Sequence, residues 1–201
     1  MTAVLRGARP DDYEAIVSVV DDWWGRPMAH MMPRLFLDHF HATSLVAERD
    51  GALAGFLIGF HSPSRPGGAY IHFVGVAPNE RRTGLARRLY AAFFDAAIQD
   101  GCTTVNAITG TANTRSIAFH RAMGFSVRGP VSDYDGPGAE RMVFERPLTH
   151  RAPRHAVILD FWWLFDPKSK IIEGGAREGG ATLVEPCLRR LSLSYGSGSG
   201  S

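Results

Sequence analysis

The sequence predicts a mixed α/β domain of the α+β type, a sheet flanked by helices, closing near Leu148. Three observations predict it. Segments of strand-like and helix-like apolar spacing follow one another in the order β-α-α-β-β-β-α-β-α-β-β. Asp50-Gly51, set between two apolar runs, is a pair that tight hairpin turns favour. The run from Tyr70 to Val76 stops at Pro78, passes through a short basic loop containing Gly84, and enters a strongly helical segment.

Each element has a local cause. Val4 to Arg9 alternates weakly and reads as a first strand. Pro10-Asp11-Asp12 starts a helix, because proline suits a first turn and carboxylates complement the positive end of the helix dipole. Tyr13, Ile16, Val17 and Val20 recur at helical spacing, and the stretch from Trp23 to Pro27 breaks that helix. Met31 to His41 reads as a second helix patterned by Leu35, Phe36, His39 and Phe40. Ser44 to Glu48 and Ala52 to Phe60 are the hairpin strands, and Ser62 to Gly68 is a loop rich in Pro, Gly and Ser. Tyr70 to Val76 is the central strand. Gly84 to Gln99 is a helix with Leu85, Leu89, Ala92, Phe93 and Ala96 on its apolar face, ended by Gly101. Thr103 to Ile108 is a strand; Asn113 or Thr114 caps a helix that reaches Met123 and stops at Gly124. Phe125 to Arg128 and Arg141 to Arg146 close the sheet as an antiparallel pair across the loop from Val131 to Glu140.

Composition narrows the function classes. A hydrophobic content of 45% with 21% charged residues is that of an ordinary globular protein. The net charge of +2, with basic residues scattered except at Arg81, Arg82, Arg87 and Arg88, speaks against general nucleic-acid binding. No charged and then apolar leader is seen, and no apolar stretch approaches the ~18 residues of a spanning helix, so a secreted or membrane protein is not expected. Cys102 and Cys187 form neither a disulfide framework nor a metal pattern; a cytoplasmic enzyme without a metal is expected. Residues 1–149 read as the folded domain. Residues 150–195 are an extension of different composition, holding both lysines and an apolar patch, whose native or foreign origin stays open. Residues 196–201 are a Gly/Ser linker-like end.

The basic loop carries the chemistry. Strand, glycine-punctuated loop and helix start aim backbone N–H groups, the positive end of a helix dipole and arginine side chains at one point, which suits a phosphate or pyrophosphate. Gly84 allows close backbone approach, and Ala86 is small where the helix start must sit near a ligand. A plain strand-to-helix turn is the alternative for Gly84 alone.

Arg81-Arg82-Thr83-Gly84-Leu85-Ala86 resembles the R/Q-x-x-G-x-G/A signature of the GNAT superfamily of acyl-CoA-dependent N-acyltransferases. The stretch from Asn113 through Ser116 and His120 to Gly124-Phe125 resembles that family's second motif, and the two occur in the family's order. The resemblance covers about residues 3–148. It implies a mostly antiparallel central sheet with a splay between two central strands, where coenzyme A lies. It implies acetyl-CoA as co-substrate, with Arg81, Arg82, Thr83, Gly84, Leu85 and Ala86 around the pyrophosphate. The backbone of Val74 and Val76 would pair with the pantetheine amides as with an added strand. Asn113 would lie beside the pantetheine, or cap its helix, or both; Ser116 would touch the same chain or be a solvated helix serine.

At His120 the family most often has tyrosine, which protonates the departing thiolate. Histidine can carry that role near its ordinary pKa of ~6.5, or fill the tyrosine's space in the core. The central strand carries no Asp or Glu, so His72 is the titratable candidate for the base; it is expected on the same strand face as Tyr70, Val74 and Val76, with a core or rim histidine as the alternative. Asp133, Tyr134 and Asp135 are a second candidate group, with Tyr134 as an acceptor contact, against a solvated turn. Trp23 and Trp24, near Met28, Met31 and Met32, fall where the family builds its acceptor wall, or else pack the helix. The implied activity is acetyl transfer to the amine of a small molecule, peptide or protein by direct attack in a ternary complex, a homodimer being a form such a fold takes. The other function class is an acyl-CoA-binding sensor without turnover.

Overall fold

The structure, a computed structural model, describes residues 2–149; the expectations placed on residues 150–195 and 196–201 lie outside the described residues. The strands are β1 (Val4–Gly7), β2 (Leu45–Arg49), β3 (Ala52–His61), β4 (Gly68–Val76), β5 (Thr104–Gly110), β6 (Ser126–Val131) and β7 (Arg141–Pro147). The helices are α1 (Asp12–Trp24), α2 (Leu35–Phe40), α3 (Leu85–Gln99) and α4 (Thr114–Ala122). The strands form one seven-stranded sheet in the order β1-β2-β3-β4-β5-β7-β6. Every neighbouring pair is antiparallel except β4 and β5. The expected element order and the mostly antiparallel sheet are therefore present.

Local chemistry accounts for the boundaries. Asp50 and Gly51 both take positive φ, 52° and 79°, the conformation a two-residue hairpin turn demands. Gly25 ends α1 in the left-handed conformation, its N–H donating to the Asp21 carbonyl. The helix expected from Met31 to His41 is shorter than the sequence reading. Ala29–Met31 forms a single 3-10 turn, and α2 begins only at Leu35. Pro33 causes the break: it drives Met32 out of helical backbone, to φ −115° and ψ 75°. On α3 the buried face is Leu85, Leu89, Tyr90, Phe93, Phe94 and Ala97, whereas Ala96 is exposed and Ala92 half-buried. Two overlapping apolar stripes compete on this helix, and the aromatic one takes the core because it removes more surface from water.

The sheet is covered on both faces. Leu57, Leu89, Phe93, Val105 and Phe144 belong to the core under α3 and α4. Ile16, Val20, Leu37, Phe56 and Ile58 belong to the core under α1 and α2. Consecutive residues Phe56, Leu57 and Ile58 are all fully buried and alternate between the two cores, as a central strand requires.

Two irregularities in β4 position the site. The first is a splay. β4 pairs with β5 only from Gly68 opposite Thr104 to Tyr70 opposite Asn106. Beyond that point β4 stays paired with β3 as far as Val76, and β5 with β7 as far as Gly110. The facing edges thus lie open. The second is a β-bulge. Ile58 pairs with Phe73 but the next residue, Gly59, pairs with Ile71, so His72 is the extra residue of β4. The alternation of side chains slips by one there. Ala69 and Ile71 precede the bulge on the α3 face, and Val74 and Val76 follow it on the same face. Phe73 packs into the opposite core. The strict period expected of the sequence, which put His72 on the face of Val74 and Val76, is corrected by this bulge.

Candidate active site

The open edge of β4 runs into the loop expected to cradle phosphate. Ala77 is tied to β3 by its N–H, 3.0 Å from the Ala54 carbonyl. Pro78–Glu80 then makes one 3-10 turn. The buried Glu80 carboxylate meets the Arg49 guanidinium at 2.5 Å, and the Thr83 hydroxyl donates to the Glu80 carbonyl at 2.8 Å. Arg82 follows at φ 65°, left-handed backbone that costs a non-glycine residue of order 1–2 kcal/mol. Gly84 enters α3 at φ 88°, and a Cβ built on it would meet nothing within 4 Å, so the space in front of it is open. No side chain caps α3, whose first N–H groups have no partner within the helix. Val76, Glu80, Arg81, Arg82, Gly84, Leu85 and Ala86 line one cavity of about 330 Å³ together with Arg87 and Phe119, the Glu80 carboxylate being held by Arg49. An anion at this place would meet N–H donors, a dipole end and guanidinium groups, so these residues fit a pyrophosphate.

Thr83 points elsewhere, into a second cavity of about 290 Å³ that it shares with Ala3, Arg49 and Arg88. Arg81, although at the mouth of the first cavity, donates to the carbonyl of Trp23 at the end of α1. The loop is therefore held from two sides, by Arg49 through Glu80 and by α1 through Arg81.

On α4 the expected residues are placed as follows. Asn113 caps the helix, accepting from the Ser116 N–H at 3.2 Å, while its amide donates to the Thr109 hydroxyl at 3.1 Å. That second bond ties the cap to the open end of β5. Ser116 is half-buried one turn on. His120 is buried. Its Nδ1 lies 2.8 Å from the Ser116 carbonyl and must donate to it, which leaves Nε2 to accept from the Tyr90 hydroxyl at 3.0 Å. Its ring stacks on Phe144 at 4.0 Å. Burial pushes its pKa below the ordinary histidine value, against a smaller opposing effect of the Ser116 carbonyl. His120 is thus a neutral imidazole with both nitrogens engaged inside the protein.

The opposite face of β4 carries the other expected residues. His72, turned there by the bulge, lies 4.3 Å from Phe36 of α2 and 4.0 Å from Phe73, centroid to centroid. Desolvation holds its pKa down to about 4, so it is neutral at physiological pH. Trp24 reaches Phe73 at 5.7 Å, and Trp23 stacks on Phe56 at 6.0 Å. Asp21 holds the end of α1, accepting from the N–H groups of Met28 and Ala29 at 2.6 and 2.7 Å. Tyr134 is exposed in the β6–β7 loop, whose Asp135 pairs with Arg141 at 2.6 Å. This loop stands near Tyr70, whose hydroxyl is pushed up to about 12 by burial first and then by Tyr134 and Asp135.

Sequence reasoning put Arg87 in the basic cluster and Phe36 in the second helix pattern without giving either a site role, and it did not single out Phe119 or Tyr90. Arg87 was within reach, three residues after Gly84 on a helix start; the other three are apolar or aromatic residues whose roles depend on tertiary contacts. Cys102 is buried at the end of α3, where burial and then Asp100 raise its thiol pKa, away from both cavities. Cys187 lies outside the described residues. Among the described residues no helix is long and apolar enough to cross a membrane.

Known proteins resemble this chain in sequence and in fold. The model of the Acetyltransferase (GNAT) family matches residues 11–125. The L-2,4-diaminobutyric acid acetyltransferase of Nocardia farcinica is 33% identical over 89 residues, 44% of this chain and 46% of that protein. The match thus spans about half the length of that curated relative. A GNAT-family acetyltransferase from Desulfovibrio desulfuricans shares the fold with a TM-score of 0.65 at 20% identity, over 74% of this chain and 100% of that one. The diaminobutyrate acetyltransferase of Paenibacillus lautus, solved with L-2,4-diaminobutyric acid and coenzyme A, superposes with a TM-score of 0.60 at 20% identity, over 76% and 99%.

Proposed function

Since the chain belongs to the acetyltransferase (GNAT) family, we propose that it moves an acetyl group from acetyl-CoA to a primary amine by direct attack, with both substrates bound together. One observation carries this reading: the unpaired edge of β4 leads straight into the uncapped N-terminus of α3. An extended amide-bearing chain added to that edge delivers its phosphate end to the loop and its other end to the bulge at His72.

Bound acetyl-CoA supplies an activated thioester. The chain's own residues do the rest. Arg82, Gly84, Leu85, Ala86 and Arg87 hold the pyrophosphate through charge and backbone N–H groups. Thr83 supports the loop through Glu80. Val74 and Val76 offer backbone groups to the pantetheine while their side chains pack against the α3 core. Asn113 and Ser116 border the splay from the β5 side. The amine arrives from the α1/α2 face, between Trp23 and Trp24, His72 and the loop of Tyr134. Neutral His72 takes up the amine proton as the new C–N bond forms and the C–S bond breaks. His120, expected from the sequence to protonate the departing sulfur, has its Nε2 accepting from the Tyr90 hydroxyl and no proton there to give; the sulfur leaves as thiolate and takes its proton from solvent, while His120 holds Tyr90 in place. Cys102, buried and remote, gives no covalent route.

The engagement of both His120 nitrogens favours a second reading, an acyl-CoA sensor that binds without turnover. Free-thiol release from acetyl-CoA across a panel of amines, with mass spectrometry of the products, separates the two. Transfer predicts one thiol per acetylated amine; binding with no thiol above hydrolysis is the sensor's outcome.

A further inference from the structure

The α1/α2 face of β4 is built for a particular kind of acceptor. Starting at Phe40, rings follow one another in contact through Phe60, Tyr70, His72 and Phe36. The successive centroid distances are 4.9, 5.3, 6.2 and 4.3 Å. Three elements contribute to this band: α2, β3 and β4. All five residues are half-buried, so none is sealed inside the core. The bulge is what brings His72 into the band instead of into the α3 core.

The charges beside the band are paired with one another: on α2, Asp38 lies between Phe36 and Phe40 and meets Arg34 at 3.4 Å. Asp135 of the β6–β7 loop and Arg141 at the start of β7 act on Tyr70 and already satisfy each other at 2.6 Å. Within the band there are ring faces, the Tyr70 hydroxyl and one neutral imidazole. A compact zwitterion with a second ammonium would bring three charges into this desolvated place, each needing its own polar partner. An apolar body gains in proportion to the surface it buries there. Its ammonium is tolerated over ring faces until it loses its proton. The desolvation that keeps His72 neutral also works against that ammonium and favours the attacking free amine.

We propose that the acceptor is a primary amine carried on an aromatic or extended apolar body, lying along Phe60, Tyr70 and Phe36 with its nitrogen at His72. The proposal rests on the acetyl-transfer reading and adds the substrate class. It is tested with the full chain, acetyl-CoA and four acceptors: 2-phenylethylamine, hexylamine, L-2,4-diaminobutyrate and a short peptide with a free N-terminus. The two apolar amines are expected to exceed the other two in kcat/KM by about tenfold or more, the effect of one good apolar contact in the transition state. Phe36→Ala is expected to lower kcat/KM for 2-phenylethylamine by about tenfold, and Phe36→Leu by less, with acetyl-CoA affinity measured by calorimetry unchanged. Preference for diaminobutyrate or the peptide overturns the proposal and leaves acetyl transfer standing. An equal loss for all four acceptors in Phe36→Ala also overturns it. Acetyl-CoA binding without turnover of any amine overturns the transfer reading and this proposal together. The wild-type panel decides the question alone should a variant not fold.

Discussion

Histidine 120 shows how much one residue's surroundings decide. Its ring fills a slot between Phe144, Phe125 and Tyr90, and its two nitrogens serve Ser116 and Tyr90. His120→Phe keeps the shape and strands the buried Tyr90 hydroxyl, which should cost about 1–3 kcal/mol in urea unfolding. Adding Tyr90→Phe should return part of that loss, because both polar partners are then gone. The same variant checks the sequence expectation that His120 donates the proton: an unchanged kcat makes it a packing residue, whereas a lowered kcat with acetyl-CoA binding intact restores the donor role. The lowered pKa values of His72 and His120 have a sign that can be checked. Unfolded histidine protonates near ~6.5, whereas His72 folded stays neutral down to about 4. Between those values the unfolded chain binds more protons, so stability falls as pH drops from 6.5 toward 4. Urea midpoints at the two ends of that window should converge in the variants His72→Phe and His120→Phe. By the same logic the rise of kcat/KM with pH should follow the acceptor's ammonium and show no histidine limb near ~6.5, that of His72 lying down at about 4. At Gly84, where φ is 88° and the space ahead is open, Gly84→Asp should abolish acetyl-CoA binding by calorimetry, since it places a carboxylate where we propose the pyrophosphate lies. Unchanged affinity would move the phosphate site elsewhere.

Single elements behave as units of the same argument. The proposed phosphate loop is anchored by the pair of Glu80 and Arg49 and by Arg81 on the Trp23 carbonyl. Glu80→Gln should raise the KM for acetyl-CoA and lower Tm together, whereas an exposed loop charge would change KM alone. Strand β4 is constrained by its neighbours as well. A Cβ at Gly75 would run into the ring of Phe56, which is fully buried and supports both Trp23 and Trp24. Gly75→Ala should therefore cost about 1–3 kcal/mol, measurable by chemical denaturation. Local chemistry was legible wherever it acts within a few residues: the hairpin at Asp50-Gly51, the cap at Asn113, the helix stop at Gly25. The bulge at His72 was not, because nothing in Ile71-His72-Phe73 itself announces an extra residue; it arises from matching β4 to β3. The break at Pro33 was readable from proline's clash with helical backbone at the residue before it, but the apolar spacing from Leu35 to Phe40 concealed it.

For the molecule as a whole, the order of elements and the two motifs were legible because they are linear patterns. The splay was implied by resemblance and becomes visible only in the pairing, which stops at Tyr70 and Asn106. The acceptor side was least legible, since Phe36, Phe60 and Tyr70 come from three segments that the sheet brings together. We expect residues 1–149 to form the catalytic unit: a chain ended there should keep the Tm and acetyl-CoA affinity of the full chain, and a loss of either would give residues 150–195 a structural part. The central claim is that the open edge of β4 and the start of α3 receive acetyl-CoA as one continuous site. Amide hydrogen exchange with and without acetyl-CoA tests it most directly. The account predicts new protection at Val74 to Val76 and at Gly84 to Arg87, with the hairpin of β2 and β3 near Asp50 unchanged. Bound acetyl-CoA with no added protection along Val74 to Val76 would contradict it.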